Sequence, residues 1–490
     1  MQVKNILTAF LFFFLVTVPL TESKAQEQIP FFDLWPTFKE EKIKDRLFKH
    51  ADLIPMVKAY STLPDFEVSQ IGFSFEGREI LLLKIGHGDT PVLLWSQMHG
   101  DEPTATMAIM DLCKFFAQSD SLDYFKNKIK NDLSIYIIPM LNPDGAEIYK
   151  RRNALDIDLN RDAMMLESPE SKILKQIRDS LNPKFGFNLH DQSAYYTAGA
   201  ENKPAVISFL APAYNEEKDI NDVRANAMRL IQIMNRLIQS KLPGNVGRYN
   251  DTFEPRAFGD NMQKWGTSTI LIESGYLPGD PEKQYNRQLH FAMFLEAFQN
   301  IADNQYLFES LHEYHEIPFN QRRAHDLIIR GLKYPYQDKY PVIDISWQRT
   351  ETFRSDYRKG YYKATISDIG DLSTMWGFDE FDATQYDYVE GKILKGAWKE
   401  MQHMKVIDII RSGHSWILAK SQPEQEAASN LPLQVILHER DFKNDIKISR
   451  NPGFFLQQNG QLKVYIHNGV KYDLQELANI LGDKTLADFY

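Results

Sequence analysis

Ser96-Gln97-Met98-His99-Gly100-Asp101-Glu102-Pro103-Thr104 is the stretch on which the fold turns. An apolar run, Pro91-Val92-Leu93-Leu94-Trp95, stands before it, and a helical pattern from about Pro103 to Phe116 follows. The run reads as a buried strand giving way to a helix, which places His99 and Glu102 on the loop between them. In an open α/β sheet, ligands bind in the crevice at such strand ends. An imidazole and a carboxylate three residues apart can turn onto one cation, as a zinc site of the His/Glu/His type requires. A surface histidine beside a helix-capping carboxylate has the same local pattern, so the rest of the chain must decide.

Around this stretch, strand and helix alternate. Phe66 to Ile85 reads as short β structure with a turn at Phe75-Glu76-Gly77-Arg78. Leu133 to Pro139, Phe185 to His190, Ala205 to Leu210 and Thr267 to Glu273 are strand-like, and Asp219 to Ser240 and Glu282 to Ala302 have helical spacing. The alternation predicts an α/β fold: a mostly parallel or mixed, doubly wound sheet with helices on both faces. Beyond about residue 305 the texture changes. Leu307 to Leu332 is charged and is expected to be helical, with His312 and His315 on a solvated face. From Pro341 short strands separated by Gly, Asn and Asp turns predict a β-rich region, and Gly460 to Gly469 reads as a hairpin turning at Asn-Gly. The expected organisation is a leader at 1–25, a first domain at 26–305, a helical linker at 306–340 and a β-rich C-terminal region at 341–490.

With 56 Lys and Arg against 66 Asp and Glu, the formal charge is −10, and no basic block occurs, which argues against a nucleic-acid partner. Lys4, the apolar Ile6 to Leu20 and Ser23-Lys24-Ala25 read as a secretory signal cleaved near Ala25, so a periplasmic or secreted location is expected. The apolar run is shorter than the roughly 20 residues of a membrane helix, so no stable span is expected after cleavage. The single cysteine, Cys113, reads as a small core residue.

Four further segments fall at strand ends or on the loops after them: Asn142-Pro143-Asp144-Gly145; Arg151-Arg152-Asn153 leading to Asp158-Leu159-Asn160-Arg161-Asp162; His190-Asp191-Gln192; and Ile272-Glu273-Ser274-Gly275. In this order, after His-x-x-Glu, the chain resembles the zinc carboxypeptidases (the carboxypeptidase A type, M14 metallopeptidases) over roughly residues 45–305. The resemblance implies a carboxypeptidase-like fold and one Zn2+ per chain, held by His99, Glu102 and His190. It implies Glu273 as the catalytic carboxylate, and Asn160 and Arg161 as the clamp for a substrate's terminal carboxylate. The carbonyl-polarising arginine of the family matches Arg151, with Arg152 the neighbouring alternative. Tyr249 and Tyr276 are candidates for the family's mobile tyrosine, and Arg256 for a second anion contact.

One departure concerns Asp101, which stands where the digestive enzymes carry Arg. His-Gly-Asp-Glu is similar to bacterial members that act on cell-wall peptides. The expectation is an exported zinc-dependent metallocarboxypeptidase or amidase acting on a peptide or peptidoglycan-derived substrate. The alternatives are a zinc-dependent N-acyl amino acid deacylase of the aspartoacylase and succinylglutamate desuccinylase branch, and a non-catalytic protein that binds peptide termini.

Overall fold

The computed structural model describes residues 29–353, 356–419, 431–436 and 438–489. The expected leader therefore lies outside the described residues. Nine strands precede residue 300: β1 (Phe66–Phe73), β2 (Glu79–Ile85), β3 (Thr90–Trp95), β4 (Leu133–Ile138), β5 (Phe185–Asp191), β6 (Tyr196–Ala198), β7 (Ile207–Leu210), β8 (Val246–Arg248) and β9 (Ser268–Ser274). All but β6 join one sheet in the order β1-β2-β4-β3-β5-β9-β7-β8. β3, β4, β5 and β9 run parallel, β7 and β8 are parallel to each other, and the remaining pairings are antiparallel. This is the mixed α/β sheet that the alternation predicts.

The middle strands are buried on both faces because helices cover both. Thr104–Ala117 is buried except at Lys114 and Ala117, so its apolar residues need no single stripe. It packs against the helix Gln284–Ala302. Where a charge enters this layer it is paired: Asp111 and Arg287 are both 0% exposed and bonded at 2.6 Å (Nε to Oδ2), which offsets the heavy cost of burying either alone. Cys113 lies in the same core, as expected. The other face carries Phe258–Lys264 and Pro169–Leu181, whose Phe258, Met262, Ile173 and Leu174 pack with Trp95 and Ile138.

The second region contains β10 (Asn320–Arg322), which pairs with β6, and β11 (Ala324–Lys333), β12 (Val342–Phe353), β13 (Gly360–Gly370), β14 (Trp376–Asp382), β15 (Asp387–Glu390), β16 (Lys392–Gly396), β17 (His414–Ala419), β18 (Gln434–Ile436), β19 (Phe454–Gln458), β20 (Gln461–His467) and β21 (Val470–Asp473). Its main sheet runs β13-β12-β11-β15-β19-β20-β21, with β14 also on β11, while β16-β17-β18 form a separate parallel trio. The C-terminal region is β-rich, and the expected turn at Asn468-Gly469 joins β20 to β21, both residues at positive φ (50° and 68°). One expectation fails. The helical reading of 307–332 holds only for His312–Glu316, and Ala324–Lys333 is a strand at the heart of the second sheet. His312 is exposed and paired with Glu316.

Candidate metal centre

The elements converge at the ends of β3, β5 and β9. Beyond Trp95 the chain turns through Gln97, at a φ of 45°, and drops His99 and Glu102 ahead of the helix that begins at Thr104. At Gly100 this turn runs against a second backbone: a Cβ there would lie 2.1 Å from the carbonyl carbon of Gly145, so only glycine fits. Gly145 belongs to Asn142-Pro143-Asp144-Gly145, whose part is structural. The Asn142 amide donates to the carbonyls of Met98 and Arg151 (both 3.3 Å), and its backbone N–H donates to Gln97 O. Asp144 accepts from Ser74, Arg78 and the N–H of Glu76, tying the β1–β2 turn to the same spot.

His190 ends β5, and the parallel register of β5 and β9 sets it directly beside Glu273. Among the described residues, His99, Glu102 and His190 form the one group of three or more His, Cys, Asp or Glu whose donor atoms lie within 4.8 Å of one another, and all three are buried. His99 Nδ1 is 2.9 Å from Glu102 Oε1, His190 Nδ1 is 2.7 Å from Glu102 Oε2, and the two Nδ1 atoms face each other at 3.0 Å. Nitrogens each about 2.0–2.1 Å from one tetrahedral ion stand roughly 3.3 Å apart, so a zinc ion fits this donor set.

The supports of these groups are equally specific. His99 turns Nε2 to Asp158 Oδ1 at 3.2 Å, which fixes its ring and leaves Nδ1 for the centre. Asp158 also accepts from Arg151 Nε (3.1 Å) and from the N–H of Asn160. The N–H of Asp191 donates to Glu102 Oε2 at 3.2 Å. The Asp191 carboxylate accepts from Thr104 Oγ1 at 2.6 Å and Lys283 Nζ at 3.1 Å. Sequence reasoning quoted Asp158 only as part of a motif; its one local signal is the cap it makes on the turn Leu159–Arg161.

Electrostatics follow from this crowding. Burial works against the His99 cation, yet the carboxylates of Glu102 and Asp158 outweigh it and push the pKa up to about 9. Burial also opposes ionisation of Glu102, but the two histidines hold its carboxyl well below the usual range. Asp101 is raised to about 6 by burial and by Glu102. Glu273 is raised well above an ordinary carboxylate by burial and by the Glu102 charge.

Arg151 and Arg152 part company. Arg151 places Nη1 3.0 Å from His99 Nδ1 and 3.3 Å from Glu102 Oε1, whereas Arg152 bonds the carbonyl of Asp156 on its own loop. The Asn160 side chain accepts from the N–H of Phe258, and Arg161 bonds Asn160 O and lies 3.5 Å from Glu254. The Arg161 side chain remains 39% exposed, within reach of an incoming anion. Arg256, the candidate for a second anion, is spent on both oxygens of Glu254. Tyr249 stands 5.7 Å from Tyr196, its phenol raised by burial and then by Glu273, whereas Tyr276 packs on Phe378 at 5.3 Å.

An α/β sheet with a buried His/Glu/His group at its strand ends makes a candidate metal centre, and the comparisons with known proteins bear on its class. The family model for zinc carboxypeptidases (Peptidase_M14) matches residues 56–238, so this part of the chain is similar to a family named for its zinc. Carboxypeptidase SOL1 of Arabidopsis thaliana is 34% identical over 93 residues, 17% of this chain and 19% of that protein. Carboxypeptidase D of Drosophila melanogaster is 29% identical over 115 residues, 20% of this chain and 8% of that protein. The chain thus spans less than a fifth of the length of these two relatives. A solved metallo-carboxypeptidase from Burkholderia cenocepacia aligns at a TM-score of 0.43 and 18% identity, over 53% of this chain and 70% of that one. The family match ends before Glu273; only the β5–β9 register brings that carboxylate to the centre.

Proposed function

We propose that the protein is a zinc-dependent carboxypeptidase that removes a C-terminal residue from a peptide. The observation that carries this reading is the meeting of His99 Nδ1, His190 Nδ1 and both Glu102 oxygens at one point, with Glu273 on the neighbouring strand end. Three protein ligands leave a further coordination position, the catalytic rather than the structural pattern. When bound, zinc supplies a Lewis acid that makes hydroxide available from water at a pKa of about 7.

The chain's own residues supply the rest. Glu273 accepts the proton of the attacking water and delivers it to the leaving amine. Its raised affinity for a proton suits both steps, since a base whose pKa lies nearer the working pH transfers protons better. Arg151, held by Asp158 beside the centre, donates to the oxyanion of the tetrahedral intermediate. Arg161 takes the terminal carboxylate with its planar fork, and Asn160 sets the start of the helix Phe258–Lys264 beside it. Asp101 puts an anion next to the ligand Glu102, which supports cationic or amphoteric peptides, such as those from peptidoglycan, as substrates. The apolar Ile6 to Leu20 after Lys4 supports export to where such peptides occur.

The test is zinc content of the purified protein together with release of free amino acids from a peptide panel that includes muropeptides. One zinc per chain with chelator-sensitive release is expected. Zinc without release from any free C-terminus, but with cleavage of N-acyl amino acids, would replace this reading with that of a deacylase.

A further inference from the structure

The two segments that leave the catalytic strand ends do not stop at the first sheet. The segment after His190 runs into β6, which pairs with β10 at the entrance to the second region, Tyr196 opposite Arg322 and Ala198 opposite Asn320. Just before β6, the Tyr195 hydroxyl donates to Asp326 Oδ2 at 2.5 Å and accepts from the N–H of Arg349 at 2.7 Å. Asp326 is 9% exposed, and its other oxygen accepts from Arg349 Nε at 2.8 Å. Asn320 donates to Gln192 Oε1 at 3.1 Å, only two residues beyond His190. On the neighbouring strand, the segment after Glu273 reaches Tyr276, whose ring lies 5.3 Å from Phe378 of β14, itself 5.2 Å from Trp376.

We propose that the C-terminal sheet is a working part of the catalytic centre: Asp326, through Tyr195, and Phe378, through Tyr276, are positioning residues that fix the segments leaving β5 and β9. By this route they place His190 and Glu273. A free-standing binding module would need no such hold on both segments, and a simple brace would need no buried carboxylate aimed at a residue five positions from a metal ligand. Groups bonded directly to a metal ligand are worth about 10- to 100-fold in metal affinity or activity, and a contact one segment further out acts at the lower end of that range. The inference rests on the carboxypeptidase reading above.

The experiment compares full-length wild type, Tyr195→Phe, Phe378→Ala and the conservative Phe378→Tyr. Three readouts are taken: zinc affinity by competition with a chromophoric chelator, kcat and KM separately, and Tm. Tyr195→Phe is expected to weaken zinc binding about tenfold. Phe378→Ala is expected to lower kcat about tenfold with little change in KM, and Phe378→Tyr to restore it. Unchanged zinc affinity and kcat in Tyr195→Phe and Phe378→Ala, with only a lower Tm, would reduce the sheet to a brace and overturn the proposal. A wild type that neither binds zinc nor releases a C-terminal residue would instead overturn the functional reading itself.

Discussion

The two sheets spend their buried polar groups differently. In the first, His99, Glu102 and His190 are buried within bonding reach of one another, with Arg151 and Asp158 beside them. In the C-terminal region, apart from Asp326, buried polar side chains serve packing: Trp416 bonds Asn444, Ser415 bonds the carbonyl of Gly453, and His467 stacks on Tyr465. Both regions bury apolar clusters large enough to hold a fold. Burial of a Leu, Ile or Phe side chain is worth about 1.5–3 kcal/mol wherever it occurs, so stability does not separate the two sheets. Convergence does. Several strand ends of the first sheet meet at one crevice, and the second sheet presents no comparable group of metal-binding donors among the described residues.

That contrast can be broken most severely at His190. His190→Ala should remove zinc and activity together while the second region stays folded; full zinc occupancy, measured by atomic absorption, would place a ligand elsewhere. Arg151→Ala should lower kcat/KM by about 3–4 kcal/mol, the usual loss of one oxyanion donor, and Arg152→Ala should change little, since its side chain turns to the carbonyl of Asp156 on its own loop. Equal losses in the two variants would reverse their assignment.

Acid should sharpen the comparison through one histidine in each region that burial holds neutral. His290 in the first and His467 in the second are both lowered by burial from 6.5 to about 4. The unfolded chain then binds protons that the fold refuses, so stability is full above about pH 6.5 and falls as pH drops towards 4, by about 3 kcal/mol for each histidine. Denaturant midpoints that do not move between pH 7 and pH 4.5 would contradict this. A more selective effect is expected for Arg161→Ala. It should weaken peptides with a free C-terminal carboxylate by about 2 kcal/mol, roughly 30-fold, and spare amidated ones. An equal loss on both would remove Arg161 from the clamp.

Much of the first region was legible because its strands are apolar runs whose ends carry polar motifs. His99, Glu102 and His190 were singled out by the family resemblance that the order of the motifs carries. Supports that act across long sequence distances were not legible: Asn142 and Asp144 join loops about 44 to 70 residues apart, and Asp158 reaches back 59 residues to His99. The misread strand Ala324–Lys333 has the same cause. Its surroundings read as a charged helix, yet His325 and Asp326 are buried because their partners, Ser367, Tyr195 and Arg349, arrive from elsewhere in the chain. The parallel trio β16-β17-β18 escaped notice because its crossover between β16 and β17 holds only the short helices Trp398–Met401 and Val406–Arg411.

In the proposed reaction Glu273 handles the proton, while His99, Glu102 and His190 would hold the metal. Glu273→Gln keeps the shape of the side chain and removes its basicity, so zinc content and turnover should be measured on the same preparation. One zinc per chain is expected, with turnover lost by about a thousandfold or more, within the range of one general acid–base group. Near-normal turnover with zinc in place, or loss of the zinc itself, would contradict it.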